Sequence, residues 1–240
     1  MKRQYGVAII FTLWAIALLS LLMGSVVLAM RVEGRQSGHG IHYIKALSIA
    51  EAGIALAIKN HISTQGAAVE GDERPAAVDF GGARISVEVR SERGKLDLNY
   101  CNLESFKILL QYNGASRYQI GKITEQLQRL RGRPSSMVSL DELRDFPAMT
   151  EVLYQRLSSQ VTLWTGLNAP SPRYANDDLR EAFRMDGEWG VEEPGSIMDI
   201  RSKAMLENGF KIEVSAVVHI RPVGRSELYR VLHWQERVIR

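Results

Sequence analysis

The sequence predicts an α+β fold in which one long N-terminal helix packs on an antiparallel sheet and a helical subdomain is inserted into that sheet. Three observations carry this reading. An apolar run without charge or proline occupies 7–30. Residues near 84–90 and after 210 alternate apolar with polar, the period of a half-buried strand. Between those strands the apolar spacing changes from two to three and four, the period of a helix.

With 240 residues the chain has room for one ordinary domain, or two small ones, beside its N-terminal run. The net charge is +3 and the basic residues are spread along the chain, which argues against a nucleic-acid-binding tract. The single cysteine, Cys101, has no intramolecular partner for a disulfide.

The N-terminal run spans about 24 positions, where about 20 suffice to cross a bilayer. Lys2 and Arg3 precede it, and a short basic flank stays cytoplasmic, sending Arg31 and the rest of the chain across. An ordinary cleaved signal ending at Val27-Leu28-Ala29 needs a shorter apolar stretch than this one. A plain anchor and a signal losing only its leader, 1–6, are the other readings, and Gly6 is the discriminating residue. Ile44, Leu47, Ala50, Ile54, Ala57, Ile58 and Ile62 recur at helical spacing, so the helix is expected to continue over 31–62. Gly34, Gly38 and Gly40, each costing about 1 kcal/mol against alanine, are expected to loosen or kink it, or to form a linker between anchor and domain. The small residues of the face containing Ala46, Ala50, Gly53, Ile54 and Ala57 permit close helix approach, which suits a partner helix, the alternative being burial against the chain's own sheet.

The sheet is expected from 78–98 and 196–240. Ile85, Val87 and Val89 share one face of the first strand. Asn208-Gly209 predicts a two-residue hairpin turn between a strand ending near Leu206 and one beginning at Phe210. Pro222 to Ser226 supplies a second turn before the last strand, where Tyr229, Val231 and His233 alternate with Arg230, Leu232 and Trp234. Residues 99–165 form the helical insertion, broken by Pro134 and Pro147 into about three helices, with Ser139 and Glu142 spaced as a capping box. Residues 166–195 read as an acidic loop.

Catalytic signatures were sought and none has supporting context: no phosphate loop, no nucleophile elbow, no paired catalytic carboxylates. No enzyme activity and no resident cofactor are expected. His39 and His42 lack a third ligand nearby and read as a surface pair. Asp177, Asp178 and Glu181 are candidate oxygen ligands for calcium but lack a fixed loop spacing, the alternative being a solvated loop. Asp141 to Leu157 resembles a helix-hairpin-helix, yet its hairpin Phe146-Pro147-Ala148-Met149-Thr150 has no glycine to admit a phosphate, and Arg129, Arg131 and Arg133 read as a solvated face.

Taken together, Arg3 to Gly6 with Val7-Ala8-Ile9-Ile10, the block Ala50-Glu51-Ala52-Gly53-Ile54, and the stretch Glu92-Arg93-Gly94-Lys95-Leu96-Asp97-Leu98-Asn99 resemble the K-type minor pseudopilins of type II secretion systems. The resemblance implies a pilin-like fold and cleavage by prepilin peptidase after Gly6, with methylation of the new N-terminus at Val7. It implies a single-pass protein of the bacterial inner membrane, N-terminus cytoplasmic and globular part periplasmic. Its partners would be other minor pseudopilins of a pseudopilus tip and the inner-membrane secretion platform. Phe11 stands where ordinary pilins carry a glutamate, and an unpaired carboxylate in lipid costs about 2.5–3.5 kcal/mol unless a neighbour's terminal amine meets it. A subunit without that carboxylate needs no amine above it, which favours a capping role. The chain is shorter than typical members, with room for one compact insertion. The alternative is a minor pilin of a type IV or competence pilus, contacting DNA through the helix-hairpin-helix-like segment.

Overall fold

The computed structural model describes residues 5–63, 76–132, 137–187, 189–190, 192–221 and 227–239; within these, the side chains of 5–11, 26–39, 76–78 and 80 are not described. Helix α1, Tyr5–Ser63, runs 59 residues without a break in its helical assignment, so neither a linker nor an interruption separates its halves. At 1.5 Å per residue it is about 90 Å long. The expected loosening at Gly34, Gly38 and Gly40 does not end the helix; three glycines, at about 1 kcal/mol each, do not interrupt its assignment.

The main sheet has five strands in the order β1-β2-β5-β6-β7, all antiparallel: β1 Ala76–Phe80, β2 Ala83–Ser91, β5 Ile197–Leu206, β6 Lys211–Ile220 and β7 Tyr229–Ile239. Alternation explains its one-sidedness. Met198, Ile200, Ala204 and Leu206 on β5, with Ile212, Val214, Ala216 and Val218 on β6, face α1 and are buried. Each fully buried aliphatic side chain contributes about 1.5–3 kcal/mol.

The β5–β6 hairpin pairs Leu206 with Phe210 through Leu206 N–H to Phe210 O at 2.9 Å, leaving a three-residue loop rather than the expected two. Gly209 takes φ +83, the left-handed position that closes such a loop, and Asn208 Oδ1 accepts from the Phe210 amide at 3.1 Å. The second predicted turn, 222–226, lies outside the described residues. Strand β7 is the sheet edge, exposed along most of its length, and Leu232 is an extra residue between His233, paired with Val217, and Val231, paired with Val218. The bulge breaks the simple alternation read from the sequence there.

The insertion leaves the sheet after β2 and returns at β5. Ser91 and Met198 are register partners on these adjacent strands, so roughly a hundred residues stand where a hairpin loop would close the pair. Closing a longer loop costs only about 0.6 kcal/mol per doubling, so a folded insertion is tolerated there. It holds β3 Leu96–Asp97, α2 Leu103–Tyr112, α3 Arg117–Arg131, a 3-10 helix Leu140–Asp145, α4 Glu151–Ser158, β4 Val161–Thr162 and α5 Asp177–Phe183. Helix starts follow their caps: Asn102 for α2, Ser116 with Gln119 for α3, Ser139 with Glu142 for the 3-10 helix, Thr150 for α4 and Asn176 for α5. Phe106, Leu109, Leu110, Ile123, Leu127, Leu143 and Leu157 fill its core.

Two boundaries differ from expectation. Residues 92–98 leave the main sheet, and β3 pairs in parallel with β4 inside the insertion. The region read as an acidic loop, 166–195, contains α5, and Ala175 and Leu179 belong to the insertion core. A seven-residue helix with one fully buried leucine is too short for its periodicity to stand out beside acidic neighbours.

Candidate functional site

Helix α1 has two chemically different halves. Over Thr12–Ser25 its side chains are exposed on every side, with Leu21 and Met23 each about three quarters exposed (74% and 75%). A helix apolar all round whose side chains are exposed on every side calls for lipid or partner helices. Gly40–Ser63 is also long and apolar enough to cross a membrane by length and composition. Packing separates the two: Ala46, Ile49, Ala50, Ile54 and Ile58 are buried under the sheet, so this half belongs to the globular domain. Of the predicted processing and capping residues, Gly6 and Val7 lie in the first turns of α1; residues 1–4 of the leader and the side chain of Phe11 are outside the described ones.

Of the two uses open to the small-residue stripe of α1, the fold shows burial against the chain's own sheet. Ala46, Ala50, Gly53 and Ile54 are buried against the chain's own sheet, and Ala57 packs partly buried beside them. Their small size serves intramolecular approach. A Cβ on Gly53 would stand 2.3 Å from Ser202 Oγ and 3.0 Å from Ile85 Cγ2, so glycine is what lets α1 sit this close to β2 and β5. The opposite face carries Ile41, Ile44, Ser48, Ala52, Ala55 and Leu56, with Ile41 and Ile44 63% and 64% exposed. Lys45, Glu51 and Lys59 are exposed on the same side, so what α1 leaves available to a partner is a mixed face, apolar at Ile41, Ile44, Ala55 and Leu56 and charged between them. Small residues permit close approach to a partner helix and to a sheet alike, which is why the sequence left both uses of this stripe open.

The stretch from Glu92 to Asn99 is the junction between sheet and insertion. Glu92 and Asp97 are fully buried. Lys95 Nζ donates to Glu92 Oε1 and, at 2.8 Å, to Asp199 Oδ2 on β5; Arg201 Nη2 reaches the same Asp199 oxygen at 3.0 Å. Burial opposes ionisation of Asp199, but Lys95 and Arg201 overcome it and hold its carboxyl down to about 2. Burial likewise pushes the Glu92 carboxyl up, and Lys95 offsets only part of that. Asp97 accepts from the Gly166 amide at 2.8 Å, the Thr165 hydroxyl at 3.1 Å and the Asn99 amide at 2.9 Å. Asn99 binds Met137 at both its amide and carbonyl, and the Leu163 carbonyl. Gly94 is required by contact: a Cβ there would lie 2.0 Å from the Tyr174 carbonyl oxygen. Each residue of this motif therefore has a structural task at the seam. The Glu92–Lys95–Asp199 arrangement was not foreseen, though Asp199 inside the apolar run Ile197-Met198-Asp199-Ile200 was a readable signal.

The remaining candidates do not converge. Asp177 is fully exposed beside Arg180, Asp178 accepts from Gln160, and Glu181 accepts from Tyr112 at 2.8 Å. These three acids have three separate partners, and among the described residues no group of three or more His, Cys, Asp or Glu is placed to hold a metal. In the helix-hairpin-helix-like segment, Ala148 takes φ +67 without being glycine, and its carbonyl accepts from Gln119. Tyr154 donates to Asp141 at 3.0 Å, and burial together with that bond pushes its phenol up to about 12. Arg131 is not part of a solvated basic face: it donates to the Leu98 and Cys101 carbonyls, while Arg129 pairs with Glu125. Arg133 lies outside the described residues. Cys101 is buried, its thiol pushed up by burial, with Arg131 acting against that.

No protein-family model matches the chain, and no curated protein matches its sequence. Among solved structures, the fold is similar to that of a chain in the crystal structure of the GspK-GspI-GspJ complex of the type 2 secretion system from enterotoxigenic Escherichia coli. The TM-score is 0.59 over 86% of this chain and 99% of that one, at 14% identity. The similarity bears out the α+β architecture of an N-terminal helix on an antiparallel sheet.

Proposed function

We propose that this chain is a K-type minor pseudopilin of a type II secretion system, a structural subunit that sits at the pseudopilus tip and supports protein export. The observation that carries this reading is the fold similarity over 86% of this chain and 99% of the other, joined to an α1 that is apolar and exposed on every side over Thr12–Ser25. In this reading prepilin peptidase removes the leader after Gly6, Val7 becomes the methylated N-terminus, and α1 anchors the protein in the inner membrane. The globular part is periplasmic, because the short basic flank at Lys2 and Arg3 stays cytoplasmic.

The subunit works by contact rather than catalysis. Its partners are other minor pseudopilins, met through the outer face of α1 at Ile41, Ile44, Ala52 and Ala55, and the inner-membrane platform. Phe11 in place of a carboxylate removes the need for an amine from a subunit above it, which supports a terminal position.

The test is mass spectrometry of the N-terminus of protein purified from cells with active prepilin peptidase. A methylated Val7 is the expected result. An intact Met1 overturns the processing and leaves a plain anchor; a start at Met30 overturns the assembly role altogether.

A further inference from the structure

Between the insertion and the sheet face turned away from α1 lies a cleft of about 280 Å³. Strand register fixes its floor. Arg201 on β5 pairs across to Ser215 on β6, and Ser215 to Gln235 on β7; the rungs on either side end on β7 in Arg237, opposite Glu213, and His233, opposite Val217. Direct cross-strand neighbours stand about 5 Å apart and diagonal ones about 7–8 Å, so Arg201, Gln235, Arg237 and His233 ring Ser215. The insertion supplies the opposite wall through α4 and Trp164, which stacks on His233 with ring centroids 6.2 Å apart. Gln235 and Arg237 are exposed on the edge strand, and there the cleft opens to solvent.

The acids of this cleft are taken, whereas its donors are not. Asp199 accepts from Lys95 Nζ at 2.8 Å and from Arg201 Nη2 at 3.0 Å, and Glu213 meets Arg237 Nη2 at 2.9 Å and Lys203 Nζ at 3.6 Å. Each carboxylate thus serves two cations. Lys95 has Glu92 besides, and Glu88, near Arg201, is paired with Arg90. Arg144 is matched by Asp141 and Glu151, both largely exposed and outside the lining. Lys95, Arg201, Lys203 and Arg237 therefore meet only Glu92, Asp199 and Glu213, and one positive charge is left over on the floor. Arg201 and Arg237 each spend one nitrogen on a carboxylate and keep further N–H groups. Among the described residues, none hydrogen-bonds the side chain of Ser215 or Gln235.

We propose that this cleft is a carboxylate-binding site, in which one carboxylate lies over Ser215 between the guanidinium groups of Arg201 and Arg237 and accepts from the Gln235 amide. A guanidinium fork matches the two oxygens of a carboxylate, and one such ligand both neutralises the surplus charge and gives the Ser215 hydroxyl and the Gln235 amide a partner. The size agrees: ligand pockets run from about 300 to about 1,000 Å³, and this cleft, just below that range, has room for a small acid or for one acidic side chain with its neighbours. A free organic acid and an acidic residue of a polypeptide present the same group. Either one, seated on the sheet and against the insertion, ties the two cores together.

The experiment is NMR of the full chain in detergent micelles, following the Gln235 side-chain amide and the Trp164 indole N–H while a probe is added at constant ionic strength. The probes are propionate and the peptide acetyl-Gly-Glu-Gly-amide, with propionamide and the glutamine peptide as uncharged controls. Saturable shifts of both signals are expected. Saturation by both acids assigns the site to a free carboxylate, and saturation by the peptide alone assigns it to a polypeptide; each supports the proposal. Arg237→Gln, at a side chain 67% exposed, should fold normally and weaken binding about tenfold or more, the loss of one charge-assisted hydrogen bond. Arg237→Lys should restore only part of it, because an ammonium cannot fork. Should Arg237→Gln fail to fold, Gln235→Ala takes its place and should weaken binding severalfold. Absence of a saturable shift with either acid, equal shifts from the uncharged controls, or undiminished affinity in the variant overturns the site.

Discussion

Against the sheet, α1 sets alanine and glycine among isoleucines; inside the insertion, helices present leucine and phenylalanine. The two cores share no residue. In the first, Ala46, Ala50 and Gly53 bring the helix backbone down onto Ile85 and Ser202, so stability there depends on how closely two surfaces approach. In the second, Phe106 and a set of leucines fill space among short helices, so stability depends on volume. The charged seam at Glu92, Lys95 and Asp199 joins them. A helix that packs on a sheet along one side gains where small residues let its backbone approach while Ile49, Ile54 and Ile58 fill the space around them. An insertion that stands beyond the sheet must supply a complete core of its own.

This comparison can be broken first at the insertion. Phe106→Ala should cost about 3–5 kcal/mol, and amide exchange should rise in α2 and α3 while β5 and β6 stay protected. Equal loss in both regions would mean that the cores unfold as one unit. Next comes Gly94→Ala, whose new methyl would collide with the Tyr174 backbone; overpacking of this kind should cost about 3 kcal/mol in thermal or denaturant unfolding. A melting curve unchanged by that substitution would show that the Tyr174 loop moves freely.

Acid titration sharpens the role of the seam. Asp199 is held down to about 2 from 3.8, so the stability it adds is present above about pH 4 and disappears toward pH 2, on the order of 2 kcal/mol. Asp199→Asn should remove that acid-dependent loss from a series of unfolding curves. The smallest effect on stability is expected at the outer face of α1. Ile44→Lys should change unfolding by less than about 0.5 kcal/mol, since Ile44 is exposed, yet under the proposed function should abolish co-purification with minor pseudopilins. Normal co-purification would move the partner surface elsewhere.

Much of the fold was legible before any coordinates. The apolar run, the unbroken alternation from Phe210 to Ile220 and the change of spacing after Leu103 are local patterns, and each became the expected type of element. Caps were equally readable, as Ser139 with Glu142 demonstrates, because they depend on residues three apart. Helix α5 was hidden by its length, although Asn176 ahead of Asp177-Asp178-Leu179 carries a start signal. The candidate site was less legible. Arg131 read as one of a surface trio and turned out to bind the Leu98 and Cys101 carbonyls, since a long side chain's destination depends on what folds beneath it.

By itself, the sequence determined the apolar N-terminal helix, the antiparallel pairing of the main sheet and the helical unit that interrupts it. Those outcomes follow from periodicity, turn residues and the length of apolar runs. Only the tertiary structure decided that the side of α1 carrying Ala46 turns inward while Ile41 and Ile44 stay out, because burial goes to whichever side fits Ser202 and Ile85. It alone placed Glu92 beside Lys95, Thr162 and Asp199, four residues spread over about a hundred positions and brought together by the pairing of β2 with β5 and of β3 with β4. Burial and charge pairing are properties of neighbours, and neighbours distant in sequence exist only once the chain has folded.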